Sequence, residues 1–284
     1  MNFLLPILAA VLQAASFTLD KVILSVRRVD FRAYTGMSFP LVFFITLIIF
    51  LIFRPPFSSE LIYGGLFWWL LVSIILSVGS NILFYRALDQ DKLNELETIG
   101  LLSVIPVVIF SGIFFTDERN FFVLIPALAA STAIIWSHWK GGHFLIKKDT
   151  RPFLIFSLAI APLSAAASKV LLTAWHPISL ELFRSGALAA IMGFLFAGKM
   201  QKIPDRAVLL LILTNVLTTA AWILFFFSYQ RSGIIYTMLL FSLQPLLVYF
   251  AAIFLLKEKL NHKKFIAFLI VLASIVVAQI FSQA

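Results

Sequence analysis

The stretch PVVIFSGIFFTDE at residues 106–118 returns in the second half of the chain as PLLVYFAAIFLLKE at residues 245–258. Both segments are apolar runs of helical length, with a proline near one end and a glutamate flanked by charged residues at the other. Two copies of one apolar helical unit in a single chain are typical of transporters with internal repeats. The repeated stretch therefore predicts a membrane protein built from two related halves.

Further matching motifs occur in the same order in the two halves. They are Lys21-Val-Ile-Leu with Lys169-Val-Leu-Leu, Gly36 with Gly186, and Ile82-Leu-Phe with Ile223-Leu-Phe. The partners are separated by 148, 150 and 141 residues, so the spacing drifts only as the loops change length. The preserved order indicates a duplication that extends over the whole chain.

The composition excludes an ordinary soluble domain, because 62% of the residues are hydrophobic and only 12% are charged. A membrane-spanning helix needs about 20 mostly apolar residues. The sequence contains ten such stretches, at approximately 3–24, 34–53, 65–85, 97–115, 121–138, 153–173, 177–197, 207–229, 234–256 and 264–281. Since backbone polar groups in lipid must be satisfied internally, we expect an all-α integral membrane protein with ten transmembrane helices.

The longest basic connection divides these stretches into two groups of five. We interpret residues 1–140 as a first five-helix repeat, 141–152 as a basic connecting loop, and 153–284 as a second five-helix repeat. An odd number of spans in each repeat inverts the second unit relative to the first. Two inverted repeats place a substrate site between them, near the middle of the bilayer.

The distribution of basic residues predicts the orientation. The loops after odd-numbered spans contain 16 Lys and Arg residues, against three on the opposite face, Arg54, Arg119 and Arg231. Because basic loops stay in the cytoplasm, we expect a multi-pass protein of the cell (inner or plasma) membrane with both termini outside the cytoplasm. The net charge of +9 is therefore a topology signal, and no nucleic-acid partner is expected.

Several of these features together resemble the drug/metabolite transporter superfamily, specifically its EamA-like family. They are the two five-span repeats, a lysine at the end of the first span of each half, and the Pro-apolar-Glu segments in spans 4 and 9. The resemblance covers essentially the whole chain. It implies transport of a small metabolite, such as an amino acid, or of a toxic compound, by alternating access through a cavity lined by spans 1, 3, 4, 6, 8 and 9. Two features depart from the family pattern: the acidic stretch Asp89–Glu97 between spans 3 and 4, and the predicted external termini.

A polar stripe is the strongest signal for a substrate site. It consists of Ser73, Ser77 and Asn81 in span 3, and a shift of 141 residues converts it to Thr214, Thr218 and Trp222 in span 8. Steps of four residues place each set on one helix face. We interpret Ser73, Ser77, Asn81, Thr218 and Trp222 as substrate-binding residues, with hydrogen bonding between helices as the alternative.

Two glutamines and a tyrosine extend this predicted site. Gln244 precedes Pro245, and a proline that interrupts a helix near the middle of the bilayer is a recurring feature of transporter sites. The alternative is a simple kink with Gln244 packed internally. Gln13 forms a stripe with Phe17 and Lys21 in span 1, and Tyr85 lies near the expected end of the cavity.

The charged residues near the span ends have two interpretations each. Lys21 and Lys169 either extend to the membrane surface or bind an anionic group of the substrate. Glu95 and Glu97 either cap the fourth helix or carry a coupling proton. Glu181 and Arg184 are spaced for an ion pair within one helix.

The sequence as a whole predicts transport of a small organic solute, favouring export of an amino acid or related metabolite. The alternatives are a flippase for a lipid-linked substrate, a membrane-embedded enzyme or a scaffold. We expect no catalytic residues, no cofactor and no metal, since His138 and His143 lack the spacing of a zinc site. The expected partners are the solute, membrane lipids and either a proton or a counter-substrate, with the protein a monomer or weak homodimer.

Overall fold

The computed structural model describes residues 3–26, 29–57, 64–91, 93–139, 150–199, 204–256 and 262–281. The regular structure of this part of the chain is helical. Eleven α-helices occur within it: α1 (Leu4–Leu24), α2 (Phe31–Phe53), α3 (Leu66–Gln90), α4 (Leu93–Phe114), α5 (Phe121–His138), α6 (Arg151–Leu172), α7 (Pro177–Phe196), α8 (Asp205–Ser232), α9 (Ile234–Phe241), α10 (Gln244–Leu256) and α11 (His262–Phe281). Single 3-10 turns follow α4 and α7, at Thr116–Glu118 and Ala197–Lys199.

Seven helical segments of the described chain are long and apolar enough to cross a membrane. They are α1, α2, α3, α6, α7, most of α8, and α9 together with the first part of α10. Shorter apolar stretches, Leu102–Phe114, Phe121–Ser137 and Phe265–Phe281, lie in α4, α5 and α11. The prediction of a multi-pass helical membrane protein is thus confirmed, and the expected spans 4, 5 and 10 correspond to α4, α5 and α11.

The connection between α3 and α4 is shorter than the acidic sequence Asp89–Glu97 led us to expect. Helix α3 continues to Gln90 and α4 begins at Leu93, so two residues separate them. The Lys21 Nζ donates hydrogen bonds to the carbonyl oxygens of Leu88, at 2.7 Å, and Asp91, at 2.8 Å. These carbonyls lie at the C-terminal end of α3, where a helix leaves acceptors without internal partners. The ammonium group of Lys21 therefore stabilises the tight turn.

The most extensive helix contacts join the first half of the chain to the second. Helix α1 packs along α8, α2 along α7, and α5 along α11, while α6 packs against both α3 and α4 and α1 against both α9 and α10. In their order along the chain, α1, α2 and α3 of the first half correspond to α6, α7 and α8 of the second. Exchanging corresponding helices turns the α1–α8 contact into the α6–α3 contact and leaves the α2–α7 contact unchanged. The hydrophobic core is thus built across the two halves rather than within each of them.

Large apolar side chains cover the outer surface. Phe44, Leu51 and Phe53 of α2 and Phe194 of α7 are each more than half exposed. Such a surface would be costly in water, but it is the expected boundary with lipid hydrocarbon.

One proline divides a span and another does not. The residues between α9 and α10 are Ser242 and Leu243, and Pro245 follows at the second position of α10. Because Pro245 has no N–H, it cannot donate the helical hydrogen bond to the carbonyl of Phe241. Its sequence counterpart Pro106 lies inside α4, which continues without a break. The predicted interruption at Gln244-Pro245 is therefore confirmed, and it occurs in the second half alone of this pair.

Candidate solute-binding site

A cavity of about 310 Å³ lies at the junction of the two halves. Helices from both halves form its walls, including α1, α2 and α3 of the first and α7, α8 and α9 of the second. A neighbouring crevice of about 240 Å³ shares Ser80, Arg184 and Trp222 with it. The cavity has the size of the pockets that hold small organic ligands.

Most of the residues expected to bind substrate lie on the wall of this cavity. They are Gln13, Ser77, Asn81, Tyr85, Thr218, Trp222 and Gln244. Gln13 is 2% exposed, and its Nε2 has no hydrogen-bond partner among the described residues. A buried amide without a partner is costly, and this one belongs to a residue of the cavity wall.

Three of the expected residues lie away from the wall. Ser73 is fully buried, one helical turn before Ser77. Lys21 binds the carbonyl oxygens at the end of α3, as described above. Lys169 forms ion pairs with Asp117, at 2.6 Å, and with Glu118, at 2.5 Å. The side chains of Glu95 and Glu97 fall outside the described part of the chain.

The polar stripes on α3 and α8 take part in both hydrogen bonding and cavity formation. Asn81 Nδ2 donates to the Ser77 carbonyl oxygen at 2.8 Å, within α3. On α8, the hydroxyls of Thr214 and Thr218 each contact the Ser16 hydroxyl of α1. The two interpretations of the stripe are therefore not exclusive, because Asn81 and Thr218 also line the cavity.

Arg184 is the main polar feature that the sequence interpretation assigned to a different role. Its hydrogen bond crosses from α7 to α3, where Nη2 donates to the Ser77 hydroxyl at 2.7 Å. The guanidinium carbon lies 4.9 Å from the ring centroid of Phe226 and 5.9 Å from that of Trp222. The residue is 9% exposed, and its Nε has no partner within the described chain. An arginine inside an apolar span is itself a sequence signal for a functional group.

Glu181 lies one turn before Arg184 on α7, and both residues line the cavity. A carboxylate and a guanidinium so close together present opposite charges to one small volume. A zwitterion can match both charges, while either charge alone would be costly to bury. The position of this pair two turns inside α7 explains why it reaches the cavity rather than the membrane surface.

Aromatic rings form much of the remaining wall. Phe17 of α1 lies 4.8 Å from Phe84 of α3 between ring centroids, and Trp222 lies 5.4 Å from Phe225 within α8. Such rings bury the apolar portion of a ligand without offering hydrogen bonds that would need to be satisfied in its absence.

A buried carboxylate lies beside the cavity and was not among the residues expected from the sequence. Asp20 is fully buried, and its Oδ1 accepts hydrogen bonds from Tyr34 Oη and Thr214 Oγ1, each at 2.5 Å. Tyr85 Oη lies 3.4 Å from Oδ2. The three donors come from α2, α8 and α3, so four helices meet at Asp20. An acidic residue inside an apolar run is the signal that could have identified it.

Glu118, in the 3-10 turn after α4, binds the N-terminus of α9 in the second half. Its Oε1 accepts a hydrogen bond from the Ile234 N–H at 2.7 Å, and its Oε2 accepts one from the Ile235 N–H at 3.1 Å. These N–H groups begin α9, where a carboxylate is favoured by the helix dipole. Gly233 precedes them with φ of +83°, and a side chain there would collide with the Glu118 carboxylate. The expected ion pairing of Glu118 is thus made with Lys169.

Residues 152–279 match the EamA-like transporter family. The second half of this chain is therefore similar to members of that family. This match confirms the resemblance that the repeated motifs indicated. Together with the apolar helices, it makes the protein a multi-pass membrane protein of a class that transports small solutes, and the family is not one of enzymes.

The fold as a whole is similar to that of a solved crystal structure. The similarity has a TM-score of 0.74 and covers 99% of this chain and 97% of the other, at 14% sequence identity. No curated protein sequence matches this chain. At so low an identity, the structural likeness concerns the fold alone.

Proposed function

We propose that this EamA-like protein moves a small zwitterionic organic solute, of the amino-acid type, across the membrane by alternating access. The observation that carries the proposal is the pair Glu181 and Arg184 on the wall of a cavity shared by both halves. Arg184 can bind a carboxylate through its guanidinium N–H groups, and Glu181 can accept hydrogen bonds from an ammonium group. The aromatic wall then holds an apolar side chain of the solute.

Two inverted five-helix repeats, residues 1–140 and 153–284, would supply the required movement. The exchange of equivalent helix pairs described above supports this proposal, as does the order of the repeated motifs. The break between α9 and α10 adjoins the cavity through Ser242 and Gln244, which both line it. A divided helix offers a place at which one part of a span can tilt while the other remains packed.

The charge distribution supports an orientation with the odd-numbered loops in the cytoplasm of the inner or plasma membrane. Single cysteines test this, since the natural chain has none. Ser25→Cys follows α1 and Arg54→Cys follows α2, and both positions are exposed. An impermeant thiol reagent added to intact cells should label Arg54→Cys and leave Ser25→Cys unlabelled. The reverse pattern would overturn the orientation.

The binding claim is tested by a thermal-shift screen of the purified protein against L-amino acids and uncharged analogues of the same size. A ligand that binds only the folded protein must raise the unfolding temperature. We expect a dose-dependent increase with zwitterionic compounds that is lost in Arg184→Gln and Ser77→Ala. Ser73→Ala is the matched control, because this serine lies on the same helix but away from the cavity. A shift that survives Arg184→Gln would contradict the proposed site.

A further inference from the structure

We infer that Asp20 binds the proton that couples solute movement to a proton gradient, and that hydroxyl groups connect it to the cavity. This inference rests on the proposed transport function, and it replaces Glu95 and Glu97 as the expected coupling groups. Its basis is the arrangement of hydrogen bonds around Asp20 rather than the acidic residue by itself.

The first observation is that Asp20 is buried and has no cationic hydrogen-bond partner among the described residues. Its hydrogen-bond partners in the described chain are the hydroxyls of Tyr34, Tyr85 and Thr214. The neighbouring Lys21 directs its ammonium group to the carbonyl oxygens of Leu88 and Asp91 instead. A carboxylate in a low-dielectric interior is costly unless it is paired, and uptake of a proton removes that cost. Asp20 therefore has a physical reason to exchange a proton.

The second observation concerns the two carboxylate oxygens, which are not equivalent. Oδ1 accepts two hydrogen bonds of 2.5 Å, from Tyr34 and Thr214. Oδ2 has the long contact of 3.4 Å to Tyr85, a residue that lines the cavity. Oδ1 is the oxygen bonded to Thr214, so a proton passed on by Thr214 arrives at Oδ1. Oδ2 lies beside Tyr85, a side chain that lines the cavity.

The third observation is a continuous row of hydroxyls from Asp20 to the cavity. Thr214 donates to Asp20, the Thr214 and Ser16 hydroxyls are 2.9 Å apart, and Ser16 contacts the hydroxyl of Thr218. Thr218 lines the cavity. Each hydroxyl can both donate and accept, so the row can pass a proton by sequential transfer. The proton leaves one oxygen as the next one receives it, and no oxidant or reductant is needed.

The row also bridges the two halves of the chain, since Ser16 and Asp20 lie on α1 and Thr214 and Thr218 on α8. Alternating access requires a rearrangement between the halves, and sliding α1 along α8 would separate these hydroxyls. Protonation of Asp20 removes the charge that holds the Tyr34 and Thr214 hydroxyls at short distance. The protonation state of Asp20 and the contact between the halves are therefore linked, which is the requirement for coupling.

The charged and titratable groups around Asp20 are few in the part of the chain that the structure describes. Helix α2 contributes Tyr34, α3 contributes Tyr85 and, toward its end, Asp89, and α1 itself contributes Lys21. The described side chain that α8 presents to Asp20 is Thr214. A pH-dependent change at this cluster is consequently assignable to a small set of variants.

Infrared difference spectroscopy of the purified protein during a pH titration tests the assignment without any solute. A carbonyl band of protonated carboxylic acids should appear on acidification, and Asp20→Asn should remove one component of it, the remainder coming from other carboxyl groups such as Glu181. Tyr85→Phe should shift this component, because Oδ2 loses its hydroxyl neighbour, and Glu181→Gln should leave it in place. A band that persists unchanged in both Asp20→Asn and Tyr85→Phe would overturn the inference. So would a spectral change that follows sodium concentration rather than pH.

Transport of labelled L-phenylalanine into proteoliposomes is a second test of proton coupling by Asp20. We expect a pH gradient to accelerate its movement by the wild-type protein, and the ratio of rates with and without the gradient to fall to one in Asp20→Asn. Ser168→Ala, at the corresponding position of the second half, should retain the wild-type ratio. An undiminished ratio in Asp20→Asn would overturn the inference. Absence of phenylalanine movement by the wild type would instead contradict the proposed function, and the infrared result would then decide the role of Asp20.

Discussion

Asp20 in the first half and Arg184 in the second half are both buried ionisable residues, but their surroundings differ. The repeat spacing aligns Arg184 with Tyr34 and Asp20 with Ser168. Three hydroxyls from three other helices surround Asp20. Arg184 instead has one hydrogen bond to Ser77, two aromatic neighbours and an unpartnered nitrogen at the cavity. The fold thus surrounds the acid with hydroxyls and places the arginine on the cavity wall, which suits Asp20 to the proposed proton and Arg184 to the proposed solute.

The ends of α1 and α6 show the same divergence on a smaller scale. Lys21 binds backbone carbonyl oxygens at the end of α3, while Lys169 binds the carboxylates of Asp117 and Glu118. Both lysines occupy matching sequence positions and both stabilise a connection after a helix. The hydrogen bonds described here nevertheless differ, since Lys21 donates to backbone carbonyls and Lys169 to carboxylates, so the sequence match preserves the place of the lysine but not these partners.

Removal of the Arg184 charge should give the largest effect on solute affinity. Arg184→Gln loses a charge-assisted hydrogen bond to the solute carboxylate, which is worth about 2–3 kcal/mol, or roughly a 100-fold increase in Kd. Equilibrium binding of a labelled amino acid to detergent-purified protein measures it. Arg184→Lys should recover only part of the affinity, because an ammonium group lacks the planar fork of the guanidinium. Wild-type affinity in Arg184→Gln would contradict the assignment of Arg184 to solute binding.

The two lysines should differ in their contribution to stability. Lys169→Met leaves the nearly buried carboxylate of Glu118 without a cation, and we expect a loss of about 3 kcal/mol. Lys21→Met leaves carbonyl oxygens that are neutral, and we expect a loss of about 1.5 kcal/mol. Thermal unfolding of the variants in one detergent compares them. Equal losses would mean that the charge of the partner is unimportant.

Loss of one hydroxyl around Asp20 should lower stability more than loss of the hydroxyl of Ser168, which occupies the position matching Asp20 in the second half. Tyr34→Phe removes one of the two short hydrogen bonds to Asp20 and should destabilise the protein by about 1.5 kcal/mol. Ser168→Ala should change stability by less than about 0.5 kcal/mol, since its hydroxyl binds only the Ser164 carbonyl of its own helix. The same unfolding measurement applies. A larger loss for Ser168→Ala would contradict the special role of the Asp20 cluster.

We expect the smallest effect at Gln13, where a substitution should weaken solute binding without lowering stability. Gln13→Met removes an amide nitrogen that has no described partner, so stability should stay unchanged or rise slightly. If the solute uses this amide, Kd should increase by about fivefold, corresponding to about 1 kcal/mol for one hydrogen bond. Binding and unfolding measured on one preparation test both parts. A loss of stability without a change in Kd would assign Gln13 to packing.

Much of the fold was predictable from the sequence because membrane helices follow from length and apolarity. Periodicity also grouped Ser77 and Asn81 on one face of α3, since a stripe along a helix is a local property, and both residues line the cavity. The interruption before Pro245 was predictable from the missing N–H. The equivalent Pro106 shows the limit of that rule, because α4 remains continuous around it.

The roles of the charged residues were harder to predict, because they depend on contacts between distant parts of the chain. Arg184 and Glu181 fit an ion pair by spacing, yet the hydrogen bond of Arg184 goes to Ser77, 107 residues away. Asp20 is next to Lys21 in the sequence, yet its hydrogen-bond partners lie on α2, α3 and α8. Local spacing determines which helix face a side chain occupies, but only the packing of helices determines its partner.

The most direct test of the account is exchange of labelled L-phenylalanine across proteoliposomes that contain the unlabelled amino acid at equal pH on both sides. Exchange isolates movement through the cavity from any driving force. We predict rapid exchange by the wild-type protein and by Ser73→Ala, and loss of exchange in Arg184→Gln at a phenylalanine concentration that half-saturates the wild type. Exchange by Arg184→Gln at the wild-type rate under these conditions would contradict the claim that the solute is carried in this cavity.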